Sequence, residues 1–139
     1  MSRVISVRLP EELVERLRER ASVADEHISG LAQRLVDEGL RMEEHPGVVF
    51  GPGPSGRRAR LVRGPDIWEV VALVRSLESR GSEAVSEASE WLDVSESEIR
   101  AALSYYGEFP EEIDARIASN ERVQEKALRQ WEAQQELLA

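Results

Sequence analysis

The chain has 139 residues, 18 Lys and Arg against 27 Asp and Glu, a formal net charge of -9 and no cysteine. This length suits one domain or two small ones; the acidity argues against a nonspecific nucleic-acid coat, and the lack of thiols excludes a disulfide frame, a thiolate nucleophile and a thiolate metal site. No apolar run approaches the length of a membrane span and Met1-Ser2-Arg3 does not lead into a signal peptide, so a cytoplasmic protein without a membrane partner is expected.

The first element is Arg3–Leu9. Ile5, Val7 and Leu9 alternate with Val4, Ser6 and Arg8, the period of a β-strand. One short strand cannot bury its apolar side alone, and the nearest cover is the same strand of a second copy; the alternative is an ordinary edge strand with a solvated Arg8. Pro10 suits the first turn of a helix. Glu11 and Glu12 follow, where the helix dipole favours negative charge. Leu13, Val14, Leu17, Ala21 and Ala24 recur at helical spacing and predict a helix over about Pro10–Ala24. Asp25–Ile28 reads as a turn. Ser29 is then a natural N-cap for a second helix over about Gly30–Met42, with Leu31, Leu35, Val36 and Leu40 as its apolar stripe.

Strand, helix, turn and helix in this order resemble the ribbon-helix-helix family, on the residues Val4–Pro10, Glu11–Leu13 and Ile28–Leu31. The resemblance implies a homodimer whose paired strands form an antiparallel ribbon in the DNA major groove. Val4, Ser6 and Arg8 then face the bases, with Arg3 on the same ribbon. Arg8 would take a guanine edge, worth about 1–3 kcal/mol of discrimination; Ser6 would bond to either base type, and Val4 would touch only a thymine methyl. The amides at the start of the second helix, at Ser29 and Gly30, would hold a phosphate, and Gly30 would let the DNA backbone approach closely. A single dimer makes few phosphate contacts, so modest affinity and a shallow salt slope are expected.

Residues 45–56 hold three Pro and four Gly around Val48–Phe50 and read as a linker. Arg57, Arg58, Arg60 and Arg63 follow. Val48–Phe50 and Ala59–Val62 can pair as a hairpin with a long loop. The four Arg suit DNA phosphates, an acidic protein surface, or a merely solubilising hairpin. Asp66 is a candidate N-cap for Ile67–Leu77, with Ile67, Val70, Val71, Val74 and Leu77 buried. Gly81 ends this helix and Ser82 caps Glu83–Leu92. Ser95 opens another as a capping box with Glu98, ahead of Ile99, Ala102, Leu103 and Tyr106. The pair joined by Asp93-Val94 looks like a helix-turn-helix. Glu96 and Glu98 at the start of its second helix, against Arg100 alone, favour a packing module over a second DNA reader.

Pro110 opens a last helix on which Ile113, Ile117, Leu128, Trp131 and Leu138 roughly share a face, interrupted by Asn120 and Gln124. Residues 119–139, rich in Glu, Gln and Ala, would make a marginal helix alone. Trp131, Leu137 and Leu138 either anchor a partner, or Trp131 packs back on the helices of residues 66–106. Residues 45–117 resemble the 433-type domain of unknown function on His45–Gly47, Arg60–Trp68, Ser95–Leu103, Tyr105-Tyr106 and Pro110–Ile113, although the linker around Gly51–Gly56 departs from its tighter turn. That domain is often encoded beside PIN-like ribonucleases, and the resemblance implies an antitoxin-like, partner-binding role.

No catalytic set stands out. His27 and His45 show no metal-ligand spacing, and Gly51-Pro52-Gly53 is not followed by the Gly-Lys-Ser/Thr of a phosphate loop. No enzyme activity, cofactor or metal is therefore expected. The sequence predicts a mainly α protein. Residues 1–44 form the ribbon-helix-helix domain, a strand-paired βαα dimer, and 45–65 a Gly/Pro/Arg-rich linker or hairpin. Residues 66–109 form a helix-turn-helix-like helical domain and 110–139 a long C-terminal helix or tail. These carry net charges of -3 (1–44), +4 (45–65) and -10 (66–139), which confines DNA contact largely to the ribbon and points the rest to a protein partner.

Together the resemblances imply a VapB-type antitoxin of a type II toxin–antitoxin system. It would neutralise a PIN-like ribonuclease toxin and repress its own operon by binding operator DNA. Such toxins cluster carboxylates around a divalent metal, which an antitoxin Arg would displace. The candidate toxin contacts are Arg57, Arg58, Arg60 and Arg63 and, on the tail, Arg122, Leu128, Arg129, Trp131, Leu137 and Leu138. A second reading is a stand-alone ribbon-helix-helix transcriptional regulator with a C-terminal sensing or oligomerisation domain. A third is an interaction module whose strand dimerises without touching DNA.

Overall fold

The structure, a computed structural model, describes residues 1–53 and 56–139. Pro54 and Ser55, in the expected linker, lie outside the described residues. The chain divides into two compact units, Met1–Arg41 and Met42–Ala139. Among the described residues are six helices and one two-stranded antiparallel sheet, and none of the helices is long and apolar enough to cross a membrane.

In the first unit, helix α1 (Glu11–Val23) begins after Pro10, whose carbonyl accepts from Leu13 N at 3.0 Å and Val14 N at 3.1 Å. It ends where Asp25 turns left-handed at φ 53°. Helix α2 (Ile28–Glu44) starts two residues earlier than a cap at Ser29 predicts: His27 supplies the first carbonyl, to Leu31 N at 3.0 Å, and Ser29 lies inside the first turn. Ala21 and Leu31 are the buried apolar side chains of this unit. Arg34 reaches Glu26 at 3.4 Å and the nearly buried Glu38 at 3.9 Å, so α2's one buried carboxylate has a cation beside it.

The predicted strand Arg3–Leu9 is not formed: Met1–Pro10 has no regular secondary structure in the single chain. The reason is physical. A strand exists through ladder hydrogen bonds to a neighbour, and no other segment of this unit is a strand.

The second unit opens with a hairpin, β1 (Val48–Gly51) and β2 (Arg58–Leu61), in the register Val48 to Leu61, Val49 to Arg60, Phe50 to Ala59 and Gly51 to Arg58. Val48, Ala59 and Leu61 face the core. The chain leaves β2 through a tight turn in which Gly64, at φ 70°, gives its N–H to Leu61 O at 2.8 Å; a side chain at that φ would be strained.

Helices α3 (Ile67–Ser76), α4 (Ser82–Leu92), α5 (Glu96–Glu108) and α6 (Pro110–Leu138) follow. Ile67, Val70, Val71, Val85, Ala88, Ile99, Ala102, Tyr105, Ile113 and Ile117 close one core with the hairpin. Each fully buried Ile or Val contributes about 1.5–3 kcal/mol. Ser95 caps α5 as predicted, its hydroxyl accepting from Glu98 N at 3.1 Å. Two other caps differ. Asp66 sits at the N-cap of α3, but its carboxylate is drawn to side chains of β2 and α3. Ser82 is the first residue of α4, after Gly81 at φ 62°.

Helix α6 has two regimes. Ile113 and Ile117 are buried against the unit's core, whereas every residue from Glu121 onward is exposed. Trp131, 57% exposed, does not pack back on the helices of residues 66–106. Residues 121–138 thus form a free-standing helix about 27 Å long.

Candidate functional site

The N-terminal arm places Arg3, Val4, Ser6 and Arg8 in solvent. Its other alternate, Ile5 (82% exposed) with Val7 and Leu9, is uncovered as well. The apolar surface does not stop there. Leu13, Leu35, Val36 and Leu40 are exposed on the helices of the same unit, and Leu13, Leu17, Val23 and Leu35 line a shallow groove of about 510 Å³ with Arg16 and Arg20. Apolar side chains gathered along one groove mark an interaction surface more often than singly scattered ones do.

Ser29 and Gly30 lie exposed in the first turn of α2, where the leading N–H groups have no acceptor within the helix. Nothing lies within 4 Å of the space a side chain at Gly30 would fill. The neighbouring Glu26 is paired with Arg34 and so does not stand there as a bare negative charge.

The arginines of residues 57–63 are less free than their sequence suggests. Arg58 donates Nε to Asp66 Oδ2 and Nη1 to the Pro52 carbonyl. Trp68 Nε1 donates to the same Asp66 oxygen at 3.2 Å, which explains why this carboxylate does not cap α3. Arg60 Nε donates to Leu61 O at 3.4 Å, and the Arg57 carbonyl accepts from Arg116. Arg63 is exposed and reaches Glu98 at 3.4 Å. Arg58 and Arg63 are therefore paired within the chain, with carboxylates at the start of α3 and on α5.

The tail residues separate into two sets. At 3.6 residues per turn, Glu121, Arg122, Glu125, Lys126, Arg129, Glu132 and Glu136 share one side of α6. Val123, Gln124, Ala127, Leu128, Gln130, Trp131, Gln134, Gln135, Leu137 and Leu138 share the other, which carries no charge. Arg122 and Arg129 thus point away from Trp131, and a single docking face holds either the arginines or the apolar anchors.

Three arrangements had no sequence signal because their members are far apart in the chain. Arg75 Nη2 donates to Asp114 Oδ1 at 2.6 Å, and Tyr106 Oη donates to the same oxygen at 3.0 Å. Arg75, Arg80 and Arg100 converge with Val74, Val85 and Leu103 on a groove of about 630 Å³ in an otherwise acidic unit. The His45 imidazole meets Glu108, 63 residues away, with Nε2 to Oε2 at 3.2 Å, and the Glu44 carboxylate joins them.

Comparison of the chain with family models, with curated proteins and with solved structures finds no match in any of the three.

Proposed function

We propose that the chain is a homodimeric DNA-binding antitoxin of the ribbon-helix-helix type, whose exposed tail holds a toxin protein. One observation carries this reading: Ile5, Val7 and Leu9 stand uncovered, and Leu13, Leu35, Val36 and Leu40 of the same unit are exposed as well. A second copy of the arm supplies the missing ladder and cover, and the dimer then presents Val4, Ser6 and Arg8 on one uninterrupted face, with Arg3 at the end of the same ribbon. Ser29 and Gly30 flank that face with helix amides for phosphate. The bare tail helix, with its uncharged side and Trp131 at the middle, fits the helix-in-groove mode of protein recognition. A PIN-like ribonuclease is the partner that the resemblance of residues 45–117 supports. A stand-alone regulator is favoured instead by the groove lined by Arg75, Arg80 and Arg100, which suits an anionic effector with an apolar body.

The test joins assembly to binding. The full chain is expected to sediment as a dimer and Ile5→Asp as a monomer. On DNA from upstream of its own gene, Arg8→Ala should weaken binding by about 30-fold or more, because the dimer loses two bidentate base contacts worth about 1–3 kcal/mol each. A monomeric wild-type chain, or unchanged binding by Arg8→Ala, sinks the ribbon. Co-purification of the neighbouring reading frame's product, lost on Trp131→Ala, separates the antitoxin from the regulator.

A further inference from the structure

The C-terminal ends of two helices meet at one buried imidazole. Glu44 is the last residue of α2, His45 follows it, and Glu108 is the last residue of α5. All three belong to the second unit. The His45 side chain is only 6% exposed and is set edge-on against Tyr105 (centroids 5.3 Å apart) and Phe109 (5.9 Å), so its ring has a fixed orientation. That orientation aims Nε2 at Glu108 Oε2, 3.2 Å away, and a ring nitrogen of His45 and one carboxylate oxygen each of Glu44 and Glu108 all lie within 4.8 Å of one another. The two glutamates are exposed, so the imidazole forms the floor of a cluster open to solvent.

Helix stability does not account for these carboxylates. A negative side chain at a helix C-terminus opposes the dipole, whereas a cation there is favoured; here two such ends, each with its own carboxylate, converge. We infer that Glu44, His45 and Glu108 form a binding site for one divalent transition-metal ion of the zinc class. Two ligand atoms each about 2.1 Å from a shared ion, at right or tetrahedral angles, lie about 3.0–3.4 Å apart. The His45–Glu108 pair already has that spacing, and only the exposed Glu44 must swing. An imidazole with two carboxylates selects zinc, cobalt or manganese over magnesium and calcium, which take oxygen donors. Water completes the coordination on the open side. With the ion on Nε2, the ring proton sits on Nδ1, which has no hydrogen-bond partner among the described residues. The site therefore lacks the outer acceptor that raises histidine basicity, and it binds more weakly than a closed structural zinc site.

The experiment is calorimetric titration of zinc into the full chain at neutral pH, with cobalt(II) absorption as a second readout. One saturable ion per chain is expected, with visible cobalt bands that zinc abolishes. Glu108→Gln and Glu44→Gln should each weaken the affinity about tenfold or more while the circular dichroism stays unchanged; His27→Ala should match the wild type. His45→Ala also removes a packed ring, so the glutamine variants carry the test. No saturable binding, or several weak ions that both glutamine variants still bind equally, overturns the inference.

Discussion

Arg75 shows how much one exposed side chain can organise. Its guanidinium bonds Asp114 and lies 5.2 Å from the centre of the Tyr106 ring, joining α3, α5 and α6. The Arg75 hydrogen bond, reinforced by that of Tyr106, holds the Asp114 carboxyl below its ordinary value of 3.8. A depressed carboxylate stabilises the fold above the unfolded pKa, and that contribution fades as the pH falls through the folded value. Arg75→Leu is therefore expected to bring the Asp114 titration back up towards 3.8, and to flatten the loss of stability on the acid side of that value. Carboxyl-carbon NMR titration checks it; an Asp114 curve identical in both proteins refutes the link. Glu69 runs the opposite way. Burial, and then the nearby Asp66 carboxylate, push its pKa above 4.5, so its favourable contribution is present below 4.5 and disappears as the pH rises through the raised value.

The elements were legible wherever local periodicity and local burial agree. The stripe Ile67, Val70, Val71 and the capping box at Ser95 state their helices outright, and the hairpin read over Val48–Phe50 and Ala59–Val62 forms with slightly shifted strands, Val48–Gly51 and Arg58–Leu61. Caps were harder. Ser29 and Ser82 have the right chemistry, but the helix boundary is set by which carbonyl first finds an amide, and His27 and Gly81 supply it. The site was legible only where it is local, as in the alternation of the arm; the pairs His45 with Glu108 and Arg75 with Asp114 depend on how helices meet, which no spacing encodes. The two-part character of α6 yields a prediction at this scale. Because every residue of Glu121–Leu138 is exposed, a chain ending at Ser119 should unfold within about 0.5 kcal/mol of the full chain. Denaturant melts compare the two; a markedly destabilised truncation would mean that the tail packs in solution.

At the scale of the molecule, an acidic protein must keep its DNA contact narrow. In the proposed dimer Arg8 is committed to base edges, so the phosphate contacts come from two copies of Arg3 and the two α2 starts, about two to four in all. The logarithm of the binding constant should therefore fall with that of the salt concentration with a shallow slope of about -2 to -4. Titration of operator binding across salt concentrations measures it. A much steeper slope would bring the arginines of residues 57–63 onto the DNA, contrary to the pairing of Arg58 with Asp66 and of Arg63 with Glu98.

The uncovered arm also governs how long a chain survives. Met1–Pro10 is exposed and without regular secondary structure in the single chain, the form that proteases cleave most readily. Pairing removes that form, so in the proposed dimer cleavage before Glu11 proceeds only through dissociated chains and its rate follows their population. Lifetime then becomes a readout of concentration: dilute chains are trimmed of the segment that lets them pair, abundant ones shield each other, and the pool falls abruptly rather than in proportion when synthesis stops.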